Sequence, residues 1–492
     1  MFDRRFGANN NARSDISMKR KAEKAVEATS DPLSPQAHYQ QPWITDGAWI
    51  TGVAGTLMIL AMGYYFGTNQ AHLHGLPFLD GTLREQKHAI MLIALCTVAV
   101  VMIGVELIRL ATFKQYTFIR KDPLLEQGRK VQFFAECLKT YLLLLVLFAF
   151  CRWCYHSLNE YGYRPQNAYY APWFYALEFL WQLFLVGGLP YIALTRAFKY
   201  SPEDDKKDLA TLTQKCLAYI LAALPPLRSL RSEFTVDDQR AARGLAVKFF
   251  FAPVMTVFFF DNFSHLQNNL DYMLTNAIPA MQNGSYNYDI LGRDLGNILS
   301  NIIFSIDVGL AWCGYVISSR WLDNTTVSAE PTMLGWLVCL ISYPPFRVIG
   351  GWFLTGPGES LYTQIPMDGL VTVFASLMMF SYFLYMLPTI WFGLRFSNLT
   401  HRGIIRKGPY AVVRHPAYAA KNMAWWFVGL PSAIYAGYTQ GFSVGLLYVA
   451  GLIFLTAVYY ARAITEERHL SFDPNYGEYC KHVRYRFIPG VI

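Results

Sequence analysis

Charged residues are scarce in this chain of 492 residues, and two common signatures of soluble proteins are missing. Only 15% of the residues are Asp, Glu, Lys or Arg, whereas 53% are hydrophobic, which excludes an ordinary soluble globular composition. No glycine-rich loop stands between a strand pattern and a helix pattern, so a Rossmann nucleotide-binding domain is not predicted. No repeat of solenoid length is visible either, which excludes a repeat architecture.

The eight cysteines are few and scattered, mostly within apolar runs. Cys151 and Cys154 have the spacing of half a metal site, but no second Cys or His pair lies at a matching offset. Cysteine is a small polarizable side chain that packs well in apolar cores. The sequence therefore predicts ordinary core cysteines and no bound metal.

The first 46 residues contain no apolar core of the kind that a cleaved signal peptide needs. They are hydrophilic, mixed in charge and rich in Asn, Ser, Gln and Pro. Such a composition cannot bury enough apolar surface to fold. We predict a disordered cytoplasmic tail over residues 1–46.

Beyond this tail, apolar runs of about 20 residues recur, each long enough to cross a hydrocarbon core of roughly 30 Å. They predict an all-α, polytopic integral membrane protein with about 10 transmembrane helices. The predicted spans are 47–67, 89–111, 131–151, 172–194, 244–262, 296–318, 332–352 and 368–393, followed by a helical hairpin near 422–437 and 443–464. The stretch 209–227 ends in Leu224-Pro225-Pro226, and because prolines break helices it is predicted to be interfacial or re-entrant.

The distribution of Lys and Arg predicts that both termini are cytoplasmic. The segment 263–295 between two spans has Arg293 as its one basic residue, and 353–367 has none. Alternate segments on the other side are rich in basic residues: Arg4, Arg5, Arg13, Lys19, Arg20, Lys21, Lys24, Lys114, Arg120, Lys121, Arg129, Lys130, Arg228, Arg231, Arg240 and Arg243. The net charge of +8 is explained by attraction to anionic inner-leaflet lipids, so no nucleic-acid partner is predicted.

Three polar blocks stand out in the apolar C-terminal third. The first runs from Gly408-Pro409-Tyr410 through Arg414-His415-Pro416 to Tyr418, the second is Glu466-Glu467 at the end of an apolar run, and the third runs from Tyr476 to Arg486-Phe487-Ile488-Pro489-Gly490. In order and spacing, residues 365–492 resemble the isoprenylcysteine carboxyl methyltransferase and phospholipid methyltransferase superfamily of integral membrane enzymes. Residues 47–364 match no family that we can name, and we expect them to carry the substrate specificity.

The resemblance implies a methyltransferase that binds S-adenosylmethionine at the cytoplasmic face of the last helices. It implies His415 and Glu467 as catalytic residues and a tail, 470–492, that folds back as a lid. The implied cofactor-binding residues are Gly408, Tyr410, Arg414, His415, Tyr418, Glu466 and Glu467. The chain departs from the family at Ala419-Ala420-Lys421, where many members have a small Gly and an acidic residue.

The chemistry of these side chains agrees with such a donor. Arg414 and His415, at a helix start fixed by Pro416, can meet a carboxylate or a ribose, and Glu466 and Glu467 can accept from an ammonium or ribose hydroxyls. The aromatic residues Tyr410, Tyr418, Trp425 and Trp426 offer faces to a cation. Each residue also has an ordinary explanation: Arg414 as a membrane anchor, His415 as a cap, the two glutamates as surface ion pairs, and the tryptophans as an interface belt.

The acceptor of the methyl group stays open among a carboxylate, a thiol and an amine on a lipophilic molecule that enters from the bilayer. A carboxylate or thiolate attacks as it is, whereas a protonated amine must first lose a proton to a base such as His415, His469 or a glutamate. Positioning is expected to supply most of the rate acceleration.

Two other classes remain open at this stage. The tail from Tyr479 to Gly490 is also similar to that of sterol reductases, which are membrane oxidoreductases that use NADPH, although the Asn-Tyr and Gly-Asp pairs of those enzymes are missing from Ala417–Asn422. A transporter is favoured by the number of spans and by ionisable residues within them, but transporters often have duplicated halves and none is evident. Ionisable residues in spans are functional candidates by default, and here they are Glu106, Glu178, Asp261, Asp307 and Arg347, with Asp307 and Arg347 a possible pair.

Overall fold

The computed structural model describes residues 44–69, 83–112, 120–162, 168–199, 209–224, 229, 233–287, 291–346 and 361–491. Residues Met1–Gly47 form one unit and Ala48–Ile492 a second. Of the first unit, the described part is the 3-10 helix Ile44–Gly47. The predicted disordered tail otherwise lies outside the described residues, as do Arg347, Arg228 and Arg231.

The second unit is built almost entirely from helices. Its α-helices are α1 (Trp49–Thr68), α2 (Leu83–Ala111), α3 (Pro123–Glu126), α4 (Lys130–Ser157), α5 (Asn159–Gly162), α6 (Ala171–Ala197), α7 (Leu209–Leu221), α8 (Val236–Tyr272), α9 (Ile278–Gln282), α10 (Leu291–Val316), α11 (Met333–Leu340), α12 (Asp368–Phe392), α13 (Pro416–Thr439), α14 (Phe442–Leu470) and α15 (Pro474–His482). A π-helical turn, Met273–Ala277, joins α8 to α9, and 3-10 helices cover Ala168–Tyr170, Arg320–Leu322, Leu361–Gln364, Gly393–Arg395 and Gly408–Ala411.

Eight helices within the described ranges are long and apolar enough to cross a membrane: α1, α2, α4, α6, α8, α10, α12 and α14. This confirms the predicted all-α, multi-pass membrane protein. Helix α13, the first arm of the predicted C-terminal hairpin, has 24 residues but is not among the eight. The count of about 10 spans and the cytoplasmic position of both termini stay predictions.

The predicted span over 332–352 was wrong in its described part. Helix α11 begins where the Thr332 side chain accepts from the Gly335 amide, and it ends at Leu340. Turns follow over 341–346, where Pro344 and Pro345 lack the amide hydrogens that a continuing helix needs. Helix α7 has 13 residues, about 20 Å, which is too short to cross the hydrocarbon core; its interfacial or re-entrant placement stays a prediction.

The main core lies around α8 and α10, with α1, α2, α6 and α12 packed against them. Helix α8 begins with a capping box, in which Thr235 and Asp238 each accept a hydrogen bond from the other's backbone amide. Helix α1 approaches α12 so closely that a Cβ on Gly52 would lie 1.8 Å from the Ile390 carbonyl oxygen. Glycine at this position therefore brings the N-terminal helices into contact with the C-terminal ones.

Helices α4, α6 and α7 lie at the periphery. A second, small core of Phe133, Cys137 and Ile192 holds α4 to α6, while Phe150, Trp153 and Val186 are exposed. Exposed apolar side chains on long helices are what a lipid environment requires of a membrane protein.

Four two-residue strands and a C-terminal hairpin complete the fold. Strand β1 (Arg120–Lys121) pairs antiparallel with β2 (Phe198–Lys199), and β3 (Ser328–Ala329) pairs antiparallel with β4 (Thr400–His401). Helices α13 and α14 are joined by two residues, Gln440 and Gly441, a connection short enough to make them antiparallel neighbours. Helix α13 also packs on α12, so the three C-terminal helices enclose a common space.

Candidate active site

The segment that precedes α13 is held in place by the C-terminal tail. Pro416 occupies the first position of the helix, where its missing amide hydrogen costs nothing. The amide of Arg414 donates to the Tyr485 carbonyl at 2.9 Å, and the amide of His415 donates to the Arg486 carbonyl at 2.8 Å. The tail thus folds back against the predicted site segment; its action as a lid stays a prediction.

Glu467 is the centre of an ion cluster that joins three parts of the chain. Its carboxylate lies 3.1 Å from His415 Nε2, 3.0 Å from Arg486 Nε and 3.3 Å from Arg414 Nε. The side chain is 11% exposed. Glu467 therefore links α14 to the segment before α13 and to the tail.

Glu466 is placed differently from its neighbour. Its carboxylate accepts a hydrogen bond from the Tyr418 hydroxyl at 2.8 Å and lies 3.9 Å from His415 Nδ1. Its side chain is 41% exposed, and it lines a cavity from which Glu467 is absent. The ring of His415 stacks on Tyr418 with their planes 3° apart, which fixes both side chains at the cavity wall.

The cavity lies between α11, α12, α13, α14 and the segment before α13. Its charged and titratable lining residues are Glu330, Arg414, His415, Lys421, Arg462, Glu466 and His469, and its aromatic lining residues are Tyr343, Tyr385, Phe392, Phe396, Tyr410, Tyr418 and Tyr459. Acids, cations and π faces therefore converge on one space, two of whose walls, α12 and α14, are long and apolar enough to cross a membrane.

Two cations at the cavity are held by aromatic rings. The Lys421 ammonium lies 5.0 Å from the Tyr385 ring centroid and 5.9 Å from that of Tyr459. The Arg462 guanidinium lies 4.9 Å from the Tyr459 centroid and 5.1 Å from that of Tyr418. Among the described residues, neither cation has a carboxylate within ion-pair distance. Ring contacts of this kind contribute about 0.5 to 2 kcal/mol each without neutralising the charge, so both cations remain available to an anionic group.

A second acid enters the cavity from the loop before α11. Glu330 is 2% exposed, and its carboxylate accepts from Arg468 at 3.0 Å and lies 3.9 Å from His469 Nδ1. The His469 Nε2 atom lies 2.8 Å from the Ser328 hydroxyl. This arrangement ties the strand β3 region to the end of α14.

Asp473, three residues after the end of α14 and outside the candidate spans, pairs with His401. Its carboxylate lies 2.7 Å from His401 Nε2 and accepts from the Asn475 amide, capping α15. Burial raises the pKa of the Asp473 carboxyl, but the hydrogen bonds from His401 and Asn475 outweigh burial and hold that pKa below its ordinary value.

The structure brings five of the seven predicted site residues to the cavity wall: Tyr410, Arg414, His415, Tyr418 and Glu466. The other two, Glu467 and Gly408, are not among the lining residues. Gly408 has a φ of +64°, and a Cβ there would lie 2.0 Å from the Trp391 indole nitrogen, so it serves close packing. Trp425 contacts Tyr459, and the Trp426 indole donates to Thr456.

Sequence reasoning missed most of the other side of the cavity. Lys421 was noted as a departure from the resembled family, but Arg462 was not singled out. Tyr343, Tyr385 and Glu330 lie far from the motif in the chain, and an isolated Tyr or Glu gives no local signal. Arg462 could have been found, because it lies one helical turn before Glu466 within an apolar run.

The other predicted ionisable candidates fall into three situations. Asp307 is 6% exposed and accepts from Tyr385 at 2.9 Å and from Thr389 at 2.5 Å. Its predicted partner Arg347 lies outside the described residues. Glu178 pairs with Arg152 in a half-exposed ion pair, and Asp261 is exposed, which corrects the expectation that both are buried.

Glu106 is the most deeply placed of these acids. It is fully buried and accepts from Arg109 at 2.7 Å, from Arg395 at 2.8 Å and from the Thr51 hydroxyl at 2.5 Å. Arg395 pairs with Asp323 as well. The charges of the four ionised side chains sum to zero, and the cluster joins α1, α2 and the 3-10 helix after α12.

In the part of the chain that the structure describes, no group of three or more His, Cys, Asp or Glu side chains could hold a metal ion. Cys151 and Cys154 are free thiols. Comparisons of the chain with protein-family models, with curated proteins and with solved structures found no match.

Proposed function

We propose that the protein is a membrane-embedded methyltransferase that uses S-adenosylmethionine and methylates a lipophilic acceptor. The observation that carries this proposal is the half-exposed Glu466 carboxylate. It faces the same cavity as several aromatic rings and as Lys421 and Arg462, neither of which pairs with a carboxylate of the described residues. Two walls of the cavity, α12 and α14, are candidate membrane spans, which suits an acceptor that resides in the bilayer.

The residues at the cavity fit the chemical groups of this donor. Glu466 can accept from its ammonium or ribose hydroxyls, and Arg462 and Lys421 can hold its carboxylate. The Tyr418 and Tyr459 rings can face its sulfonium or adenine. The bound donor supplies a methyl group already activated on sulfur, so the protein needs no acid for the transfer.

The work left to the chain is binding, orientation and exclusion of water. Tyr418 holds the Glu466 carboxylate, and the Glu467 cluster holds the tail against the segment before α13. His415 Nδ1 is turned toward the Glu466 carboxylate, from where it can take a proton from an amine acceptor. With a carboxylate or thiolate acceptor this step is not required.

A second candidate is an NADPH-dependent oxidoreductase similar to sterol reductases. One contact favours it: the Tyr385 hydroxyl, at the cavity, is hydrogen-bonded to the buried Asp307. Reduction of a carbon double bond needs a proton donor as well as a hydride donor, and a tyrosine hydroxyl can serve. The cationic side chains at the cavity also suit a phosphate.

The decisive experiment is calorimetry on detergent-purified protein with S-adenosylmethionine, S-adenosylhomocysteine and NADPH. We expect both adenosyl compounds to bind wild type, and Glu466→Gln to weaken them about tenfold or more, since a charge-assisted hydrogen bond is lost. The control is Glu478→Gln, an exposed glutamate on α15 paired with Lys481, which should bind as wild type does. Binding of NADPH alone would move the assignment to the reductase, and binding of none of the three would end both proposals.

The cytoplasmic orientation of the site, and with it the attraction of the basic segments to anionic inner-leaflet lipids, is part of the same proposal. It is tested by labelling the half-buried Cys480 with a membrane-impermeant maleimide in sealed vesicles of known orientation. Labelling of Cys480 from the cytoplasmic side supports it. Labelling from the opposite side contradicts it.

A further inference from the structure

Arg402 is a buried arginine, and one edge of its guanidinium has no hydrogen-bond partner in the part of the chain that the structure describes. It directly follows β4 and is 4% exposed. Its Nη1 donates to the Gly314 carbonyl near the end of α10. The Nε and Nη2 atoms, which point the same way, are buried and make no hydrogen bond. Two buried donors without acceptors cost several kcal/mol together, so the arrangement needs an explanation.

Arg395 provides the contrast within the same fold. It is as deeply buried as Arg402 but is paired with the carboxylates of Glu106 and Asp323. Among the described residues, no carboxylate lies within ion-pair distance of Arg402. Burial lowers the pKa of Arg402 to about 10, because nearby negative charge does not offset the loss of water.

A second cation lies nearby. Lys248, three turns into α8, is half-buried. Phe251, one turn further along α8, stacks on Tyr315 at 5.0 Å. Tyr315 adjoins Gly314, whose carbonyl accepts from Arg402. The positive charges of Lys248 and Arg402 therefore lie close enough to repel each other. Lys248 makes no ion pair with any carboxylate of the described residues. Two neighbouring positive charges, one buried and one half-buried, destabilise each other when no acid balances them, and an anion that contacts both removes this cost.

We propose that Arg402 and Lys248 form a binding site for a phosphate monoester group. The side edge of a guanidinium presents two parallel N–H donors, which match two oxygens of a tetrahedral oxyanion. The ammonium of Lys248 supplies the second positive charge. A phosphate dianion therefore neutralises both cations, whereas a carboxylate would neutralise only one of them. The site is separate from the cavity, which neither residue lines, and the proposal does not depend on methyl transfer.

The phosphate group can come from a lipid of the phosphatidic acid type or from a soluble compound, and the test has an arm for each. Protein washed in phosphate-free chloride buffer is unfolded thermally with and without inorganic phosphate at equal ionic strength. It is also unfolded in nanodiscs of phosphatidylcholine with and without phosphatidic acid. We expect phosphate, or phosphatidic acid, to raise the Tm of wild type by about 2 °C or more. A response in the lipid arm alone identifies a lipid ligand.

The variants Arg402→Gln and Lys248→Gln should lose this rise, while Arg240→Gln, on the same helix but exposed and paired with Asp237, should keep it. Lys248→Met gives a second readout that does not depend on Arg402 variants folding. Without phosphate it should unfold at a higher temperature than wild type, since an unbalanced charge is removed, and with phosphate the order should reverse. The absence of any Tm rise in both arms, or a rise of equal size in Lys248→Gln, overturns the proposal.

Discussion

Two groups of buried charges in this protein, the Glu106 cluster and the cavity, are built on opposite plans. In the Glu106 cluster, the fully buried Glu106 carboxylate accepts hydrogen bonds from the buried Arg109 and Arg395. At the cavity, Glu466 is half-exposed and Arg462 contacts rings rather than an acid. The difference separates charges that stabilise the fold from charges that are free to meet a ligand.

The largest effect should follow from Glu106→Gln. The glutamine keeps the shape but removes the charge that pairs with both Arg109 and Arg395, and breaking a buried ion pair costs about 3 to 5 kcal/mol. The measurement is thermal unfolding in one detergent. Glu178→Gln, which breaks a half-exposed pair with Arg152, is the matched control, and we expect it to cost about 1 kcal/mol or less. Equal losses of stability in the two variants would mean that buried and half-exposed ion pairs contribute alike to the fold.

Glu467→Gln should have an intermediate effect, because it loosens the tail without opening the core. Arg414, Arg486 and His415 lose the acid that they share, which should cost about 1 to 3 kcal/mol. We expect faster amide hydrogen exchange over 483–491 and faster proteolysis of the tail. The backbone of α10, which is remote from this cluster, should exchange at the wild-type rate; a general increase would mean that Glu467 supports the whole fold.

Glu466→Gln should weaken ligand binding while leaving stability almost unchanged, which is the opposite of the effect expected for Glu106→Gln. Its carboxylate is half-exposed and has one strong partner, Tyr418, so the free energy of unfolding should change by less than about 1 kcal/mol. Binding of the adenosyl compounds should nevertheless weaken about tenfold. If the variant is stable and binds the adenosyl compounds as wild type does, Glu466 is not part of their binding site.

The smallest effect is a pH dependence at Asp473. Its folded pKa lies below the ordinary value of about 3.9, so the pair with His401 contributes its full stability above that value and loses it as the pH falls through the folded pKa. Asp473→Asn keeps a capping side chain for α15 while removing the charge. The Tm difference between wild type and this variant should be present at pH 6 and shrink toward pH 3. A difference that is constant over this range would rule out the ion pair as its source.

The sequence predicted the membrane fold well because the decisive signal is local. An apolar run carries its own evidence for a span, so α1, α2, α4, α6, α8, α10, α12 and α14 were all anticipated. The error over 332–352 arose because composition outweighed the effect of Pro344 and Pro345, which end helical structure that hydropathy alone favours.

The candidate site was predicted only in part, because its walls are far apart in sequence. The block from Tyr410 to Tyr418 and the acids at 466 and 467 were predicted from spacing. The separate orientations of Glu466 and Glu467 were not, since neighbouring positions on a helix point about 100° apart and the sequence does not say which faces the cavity. Glu330 and Tyr385 reach the cavity through tertiary packing, for which one sequence carries no local pattern.

The backbone pairing of 414–415 with 485–486 has a consequence for biogenesis. The paired segments are about 70 residues apart, and both α13 and α14 lie between them. During synthesis, residues 414–415 cannot pair with 485–486 until both helices and the tail have left the ribosome. This part of the cavity wall therefore forms late, after the core around α8 and α10 has had time to assemble. We expect a mutation in the tail to give a protein that inserts into the membrane normally but completes its folding poorly.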